Sequence, residues 1–168
     1  DGSVSHPYKT ISEALKRADS GDEVHVAKGK YKENIEIPKG VKVWGEDQDK
    51  VILEAKNDDK PVVIMKNKTT IDKFTIRDGR DGVRVEKNSK VSISKCLIED
   101  NDRDGVHAYE ADASTKQLLS ITQTEIRDNH KSGIFSEKRQ ISLIDSSIHD
   151  NGNDGADIAA GSKVWADD

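Results

Sequence analysis

Apolar residues recur at fixed offsets along the last two-thirds of the chain. Four segments end in nearly the same words: Ile76-Arg77-Asp78-Gly79, Ile98-Glu99-Asp100-Asn101, Ile126-Arg127-Asp128-Asn129 and Ile148-His149-Asp150-Asn151. The isoleucines are 22, 28 and 22 residues apart. Five residues before each stands Ile71, Ile93, Ile121 or Leu143, and between them runs a column of Phe74, Cys96, Thr124 and Ser146. After each, Gly82, Gly105, Gly133 or Gly155 opens a stretch of period-two alternation. Alternation of that period predicts strands. A repeat of this length, with two or three short strands and tight turns, predicts one coil of a parallel β-helix. Successive coils then advance by one strand spacing, about 4.8 Å. Equivalent side chains stack as columns: Val83, Val106, Ile134 and Ala156 inward, then Val85, Ala108, Ser136 and Ile158. Asn101, Asn129 and Asn151 fall at a turn, where side-chain amides can hydrogen-bond along the stack. Cys96 shares its column with Thr and Ser and reads as a small buried filler.

The first third departs from the repeat. Thr10-Ile11-Ser12-Glu13 forms a capping box, in which hydroxyl and carboxylate satisfy the amides of a helix start. Ile11, Ala14, Leu15 and Ala18 follow at helical spacing, and Gly21 ends the helix. Strands are predicted over 23–26, 31–37 and 41–44. A helix ahead of the first coil covers the open end of the stack, an edge that otherwise invites another strand. The expectation is a single all-β domain over 1–168: a cap over 1–22 and about six coils over 23–168. Val164-Trp165-Ala166-Asp167-Asp168 shows no comparable cap, so this end is expected to continue into further coils or to meet another chain. The chain opens on Asp1, as a fragment of a longer chain would.

Composition agrees with a narrow stacked core. Charged residues make up 35% of the chain, yet Val plus Ile number 29 against 6 Leu, an excess that favours strands. A net charge of −5 argues against a general nucleic-acid binder. No apolar run approaches the roughly 18 residues of a membrane span. The single cysteine excludes an intrachain disulfide and a cysteine-cluster metal site.

Particular words point to a family. Asp1-Gly2-Ser3, His6-Pro7-Tyr8-Lys9-Thr10-Ile11, Ala14-Leu15, Gly21-Asp22 and Gly29-Lys30-Tyr31-Lys32-Glu33 resemble the start of right-handed parallel β-helix proteins of the pectin-lyase-like superfamily. The Gly-Val/Ile strand starts and Ile-x-Asp-Asn endings resemble the repeats of carbohydrate-binding proteins and sugar hydrolases. That resemblance implies a secreted or cell-surface protein with a polysaccharide partner. It leaves two functions open: a binding or structural module for an acidic, uronic-acid glycan, and a polysaccharide lyase or uronan epimerase. The Arg-x-Pro-x-x-Arg of common pectate lyases, the paired aspartates and Arg-Ile-Lys of polygalacturonases and the Asp-Pro-x-His-Asp of alginate epimerases are absent. So are the Thr-x-Thr arrays of an ice-binding face.

Candidate chemistry lies on outward columns. Arg84, His107, Phe135 and Asp157 form one, and Glu86, Tyr109, Glu137 and Ala159 the next. Removing the proton α to a uronate carboxylate requires a cation, a base and an acid. Arg84, His107 and Tyr109 suit these roles, with Arg84, Phe135, Glu137 and Asp157 as substrate-binding residues. Alternation makes this patch solvent-facing, so truncating Arg84, His107 or Tyr109 is expected to change stability by no more than about 0.5 kcal/mol each. The coil after Gly105 carries an insertion near 110–116, beside His107 and Tyr109. A cation is the second candidate: Asp100-Asn101-Asp102-Arg103-Asp104-Gly105 matches the opening of a calcium loop, with Asp100, Asp102 and Asp104 as ligands for Ca2+. Position 12 of that loop is Ala111 where a bidentate Glu belongs. Asp78, Asp100, Asp128 and Asp150 stack, and Arg80, Arg103 and Lys131 form a basic column expected to neutralise them or to bind an acidic glycan. His6, His25, His130 and His149 have no partner His at metal spacing and read as turn or surface residues.

Overall fold

A computed structural model describes residues 2–110 and 118–167. Each coil supplies one strand to each of three parallel sheets. The first sheet holds β1 (Glu23–Val26), β4 (Lys42–Gly45), β7 (Thr69–Asp72), β10 (Val91–Ser94), β13 (Leu118–Thr122), β16 (Gln140–Ile144) and β19 (Lys163–Asp167). The second holds β2 (Gly29–Lys32), β5 (Val51–Glu54), β8 (Thr75–Arg77), β11 (Leu97–Glu99), β14 (Glu125–Arg127) and β17 (Ser147–His149). The third holds β3 (Ile35–Ile37), β6 (Val63–Met65), β9 (Val83–Val85), β12 (Val106–Ala108), β15 (Ile134–Ser136) and β18 (Ala156–Ile158). The result is the right-handed parallel β-solenoid of about six turns expected from the repeat, with one short helix, α1 (Ile11–Leu15).

Registers match the columns read from the sequence. Ile71, Ile93 and Ile121 pair in one line, Ile76, Ile98 and Ile126 in another, and Val83, Val106 and Ile134 in the third. All nine are fully buried. Each such side chain contributes about 1.5–3 kcal/mol on burial, which is how a thin apolar supply fills a narrow column. The glycines are required by the stacking. A Cβ on Gly82 would lie 2.7 Å from the Gly105 carbonyl oxygen and 2.5 Å from Ile98 Cγ2, and Gly105 repeats the geometry against Gly133 and Ile126. The Asp that follows each of β8, β11, β14 and β17 has left-handed backbone, with φ of 62°, 53°, 54° and 53° at Asp78, Asp100, Asp128 and Asp150. Asp and Asn tolerate that region best after Gly, which accounts for the recurring Asp at this corner. The Asn ladder forms as expected: Asn101 Nδ2 donates to Asn129 Oδ1 at 2.8 Å, and Asn129 Nδ2 to Asn151 Oδ1 at 2.9 Å. Cys96 is buried, and desolvation pushes its thiol up to about 12, so it is an inert filler.

The cap differs in detail. Thr10 Oγ1 accepts the Glu13 amide at 3.1 Å, but the carboxylate serving the helix start is Glu33, which accepts the Ile11 and Ser12 amides at 2.9 Å each. That interrupts the strand expected over 31–37. Glu33 turns to the helix, and Asn34 bonds the Asn57 and Pro61 carbonyls, leaving β2 and β3 on either side. Ile11 and Leu15 are buried by the helix and close the apolar column at this end.

Candidate functional site

The third sheet presents Glu36, Ile64, Arg84, His107, Phe135 and Asp157 as one outward line in strict register. Strand alternation predicts that all face solvent, and His107 does not: it is only 7% exposed. Two rings and a carboxylate enclose it. Phe135 stacks on its face at 4.8 Å between centroids, and Tyr109 meets it edge-on at 4.9 Å. Nδ1 lies 2.9 Å from Asp104 Oδ2. Because a carboxylate accepts, Nδ1 carries the proton, and in the neutral ring Nε2 keeps its lone pair. Asp104 is itself fixed, since its Oδ1 accepts the Ser132 amide at 3.2 Å.

Arg84 is half-buried rather than free. Its Nη2 lies 3.2 Å from Asp81 Oδ2, and its guanidinium stands 5.8 Å from the Tyr109 ring centroid. Asp81, which the repeat does not single out, is wholly buried. Arg103 leans over both acids, with Nε 3.8 Å from Asp81 Oδ1 and Nη2 3.7 Å from Asp104 Oδ2. The Arg103 contacts are loose, and among the described residues Asp81 Oδ1 and the Nε atoms of Arg84 and Arg103 are buried without a hydrogen-bond partner. Two carboxylates, two guanidiniums and an imidazole thus form one cluster under an aromatic roof. Truncating His107 or Arg84 strips a partner from a buried carboxylate. The expectation of a cheap truncation therefore applies to Tyr109 alone, which is exposed. Glu137 is half-buried and Asp157 exposed, both further along the same face.

The calcium pattern is divided by the fold. Asp104 turns inward to His107 and Ser132, whereas Asp100 and Asp102 are exposed on the turn. Ala111 and the insertion at 111–116 lie outside the described residues. Among the described residues, the metal-ligating atoms that converge belong to Asp81, Asp104 and His107, all within 4.8 Å of one another. Arg84 and Arg103 already stand against those carboxylates, so a cation there would have to displace a guanidinium. Three of the four stacked turn aspartates find partners other than the basic column. Asp78 lies 3.6 Å from Arg77, Asp128 2.6 Å from Arg127 and Asp150 2.8 Å from His149.

Periodicity gave no sign of Arg139. It is buried without a carboxylate partner among the described residues, and it donates to the carbonyls of Tyr109 (2.7 Å from Nη2), Glu86 (3.0 Å) and Ser89. Desolvation lowers it to about 10. It braces the backbone at Tyr109, the root of the aromatic roof. No surrounding motif separates it from a surface arginine, because its partners are backbone oxygens from two other coils.

Fold and registers together define a right-handed β-helix with a mixed aromatic and ionic face. The chain belongs to the family described as right handed beta helix region, which matches residues 38–168. Residues 1–61 match a family of proteins of unknown function, DUF1565. No curated protein matches the chain. Among solved structures, it is similar to the pectin methylesterase from Yersinia enterocolitica, with 16% identity, a TM-score of 0.60 and 83% of this chain covered. The chain spans 56% of that enzyme's length. It is also similar to the pectin methylesterase from carrot, with 14% identity, a TM-score of 0.51 and coverage of 98% of this chain and 86% of the enzyme. At these identities the likeness is one of fold.

Proposed function

We propose that this β-helix is a polysaccharide-binding module, secreted or displayed on a cell surface, whose binding face is the outer surface of the third sheet. The observation that carries this reading is the contiguous strip of Tyr109, His107 and Phe135, with the Arg84 guanidinium 5.8 Å from the Tyr109 ring. Aromatic rings take the C–H faces of sugar rings, and fixed polar groups beside them select hydroxyls or carboxylates. The strip is held by buried hydrogen bonds, so little ordering is needed when a ligand arrives. The names of the two pectin methylesterases similar in fold make pectin the first polymer to try. Titration calorimetry with polygalacturonate and methyl-esterified pectin tests the reading. Phe135→Ala and Tyr109→Ala should abolish measurable binding, and full affinity in both variants would refute it.

A second reading, polysaccharide lyase or epimerase chemistry, is favoured by one contact: the 2.9 Å bond from His107 Nδ1 to Asp104. A carboxylate that orients an imidazole leaves Nε2 as a general base. In that role His107 takes the α-proton and Arg84 neutralises the uronate carboxylate; Tyr109 then gives a proton to the leaving O4 as the C4–O bond breaks in a lyase, or to the opposite face of C5 in an epimerase. Incubation with pectate, alginate and glycosaminoglycans tests it. A rise in ultraviolet absorbance from unsaturated uronate, or deuterium incorporated at C5 in heavy water, lost in His107→Gln, supports catalysis, and neither signal with retained binding returns the assignment to the module.

A further inference from the structure

The turn leading into the third sheet carries cations on four consecutive coils. The backbone sets them one above another: the Arg80 amide donates to the Lys60 carbonyl at 3.0 Å, Arg103 to Arg80 at 2.7 Å and Lys131 to Arg103 at 2.8 Å. Lys60 joins the column only in the structure. Its coil has Val62 where the later coils have the strand-opening Gly, as the Val62 and Val63 amides pairing with Asp81 and Gly82 make plain. Lys60, Arg80 and Lys131 are exposed and form no ion pair among the described residues. Arg103 reaches two buried aspartates only at 3.7–3.8 Å, with its Nε unbonded.

Like charges about 5 Å apart in a watery surrounding repel by roughly 0.8 kcal/mol per pair. A stacked row of cations opposes folding, most where Lys60, Arg80 and Lys131 lack a counter-charge, and in a chain of net charge −5 it is no by-product of a basic composition. Asp81 and Asp104 offset Arg103 in part, at 3.7–3.8 Å, whereas Lys60, Arg80 and Lys131 have no ion-pair partner among the described residues. We infer that the Lys60–Arg80–Arg103–Lys131 column is a binding track for an anionic polysaccharide, one bearing carboxylates or sulfates, laid along the solenoid axis. The column spans about 15 Å, three coil spacings, the scale of a few sugar residues. It lies beside the aromatic strip, Arg80 being four residues before Arg84, so one chain can be held by charge on the turn and by stacking on the sheet. The inference rests on the polysaccharide reading and adds the charge class of the polymer.

The test compares wild type, Arg80→Ser/Lys131→Ser and Phe135→Ala, binding polygalacturonate and fully methyl-esterified pectin at low and high salt. In the double variant, polygalacturonate affinity should fall at least about tenfold at low salt, and the loss should vanish near 0.5 M salt, where charges are screened within about 4 Å. Binding of the esterified polymer should not change. The melting temperature should hold or rise, because repulsion is relieved, and a fall of several degrees would make the column structural and overturn the inference. Unchanged polygalacturonate affinity in the double variant also overturns it, while loss in Phe135→Ala alone keeps the sheet face as a glycan site. Wild type that binds neither polymer refutes the polysaccharide reading itself. A single-stranded oligonucleotide of matched charge that binds more tightly than polygalacturonate overturns the assignment to a glycan.

Discussion

Two outer faces of this solenoid share one backbone geometry and treat charge in opposite ways. On the second sheet, the outward line Lys32, Glu54, Arg77, Glu99 and Arg127 alternates in sign coil by coil, and His149 on the last coil turns to Glu125 and Asp150 instead. Its members bond one another: Arg77 to Glu54 at 2.6 Å, Arg127 to Glu99 at 2.5 Å, with Lys30 closing on Glu54 at 2.7 Å. On the third sheet, the line Glu36, Ile64, Arg84, His107, Phe135 and Asp157 has no alternation, and the cluster below it leaves buried polar atoms unbonded. Stacked identical positions repel unless the sequence varies them, so a face built only for stability becomes a ladder of alternating charge. On the proposed reading, the face that departs from the ladder is the site and the ladder is the scaffold.

The largest expected effect falls on the core beneath both faces. Ile98→Asp places a charge in a column with no room for water and should remove more than about 4 kcal/mol, seen as loss of the strand circular-dichroism signal. A folded Ile98→Asp would show that the registers are wrong. Next, His107→Ala should remove about 2–3 kcal/mol, because it deprives buried Asp104 of a partner and opens the aromatic roof. Urea unfolding measures it, and a change below about 0.5 kcal/mol would make His107 an ordinary surface residue. On the ladder face, Arg127→Ala strands Glu99, whose carboxyl is already raised mainly by desolvation. Arg127 is one-third exposed, so the loss should be smaller, about 1–2 kcal/mol, and a matching loss of glycan binding would blur the two faces.

The smallest effects are in pH. The Lys30 hydrogen bond, with help from Arg77, holds Glu54 below the usual carboxylate range. Its contribution is present above the unfolded value, about 4.3, and disappears as pH falls through the lower folded value. His149 has the opposite sign. Asp150 and Glu125 raise it above its ordinary value, so its contribution is complete below about pH 6.5 and is lost as pH climbs through the folded value. Melting curves on either side of neutrality should show that loss, and His149→Ala should flatten it. A slope that persists in the variant assigns the effect elsewhere.

Most of the scaffold is legible in the sequence, and much of the candidate site is not. Periodicity exposes whatever repeats: the isoleucine columns, the Asn ladder and the glycines on which the next coil rests. It is silent about departures from the repeat. His107 looks outward by alternation, and its burial comes from Phe135 on the adjacent strand, Tyr109 two residues on and Asp104 on the turn before it. Asp81 and Asp104 look like turn formers, because Asp is common in every turn of this chain. The calcium pattern used spacing along the chain, whereas burial separates Asp104 from Asp100 and Asp102. Arg139 bonds backbone oxygens, which carry no sequence signal at all. Glu33 replaced Glu13 at the helix start because a partner 22 residues away in sequence lies one coil away in space.

The division into scaffold face and site face is tested most directly by one paired measurement: polygalacturonate affinity and melting temperature for Phe135→Ala beside Arg127→Ala. Phe135→Ala should lose binding and change the melting temperature little, and Arg127→Ala should melt earlier and bind like wild type. The reverse pattern, binding lost with the ladder and kept without the aromatic strip, would contradict the assignment of the third sheet as the glycan face.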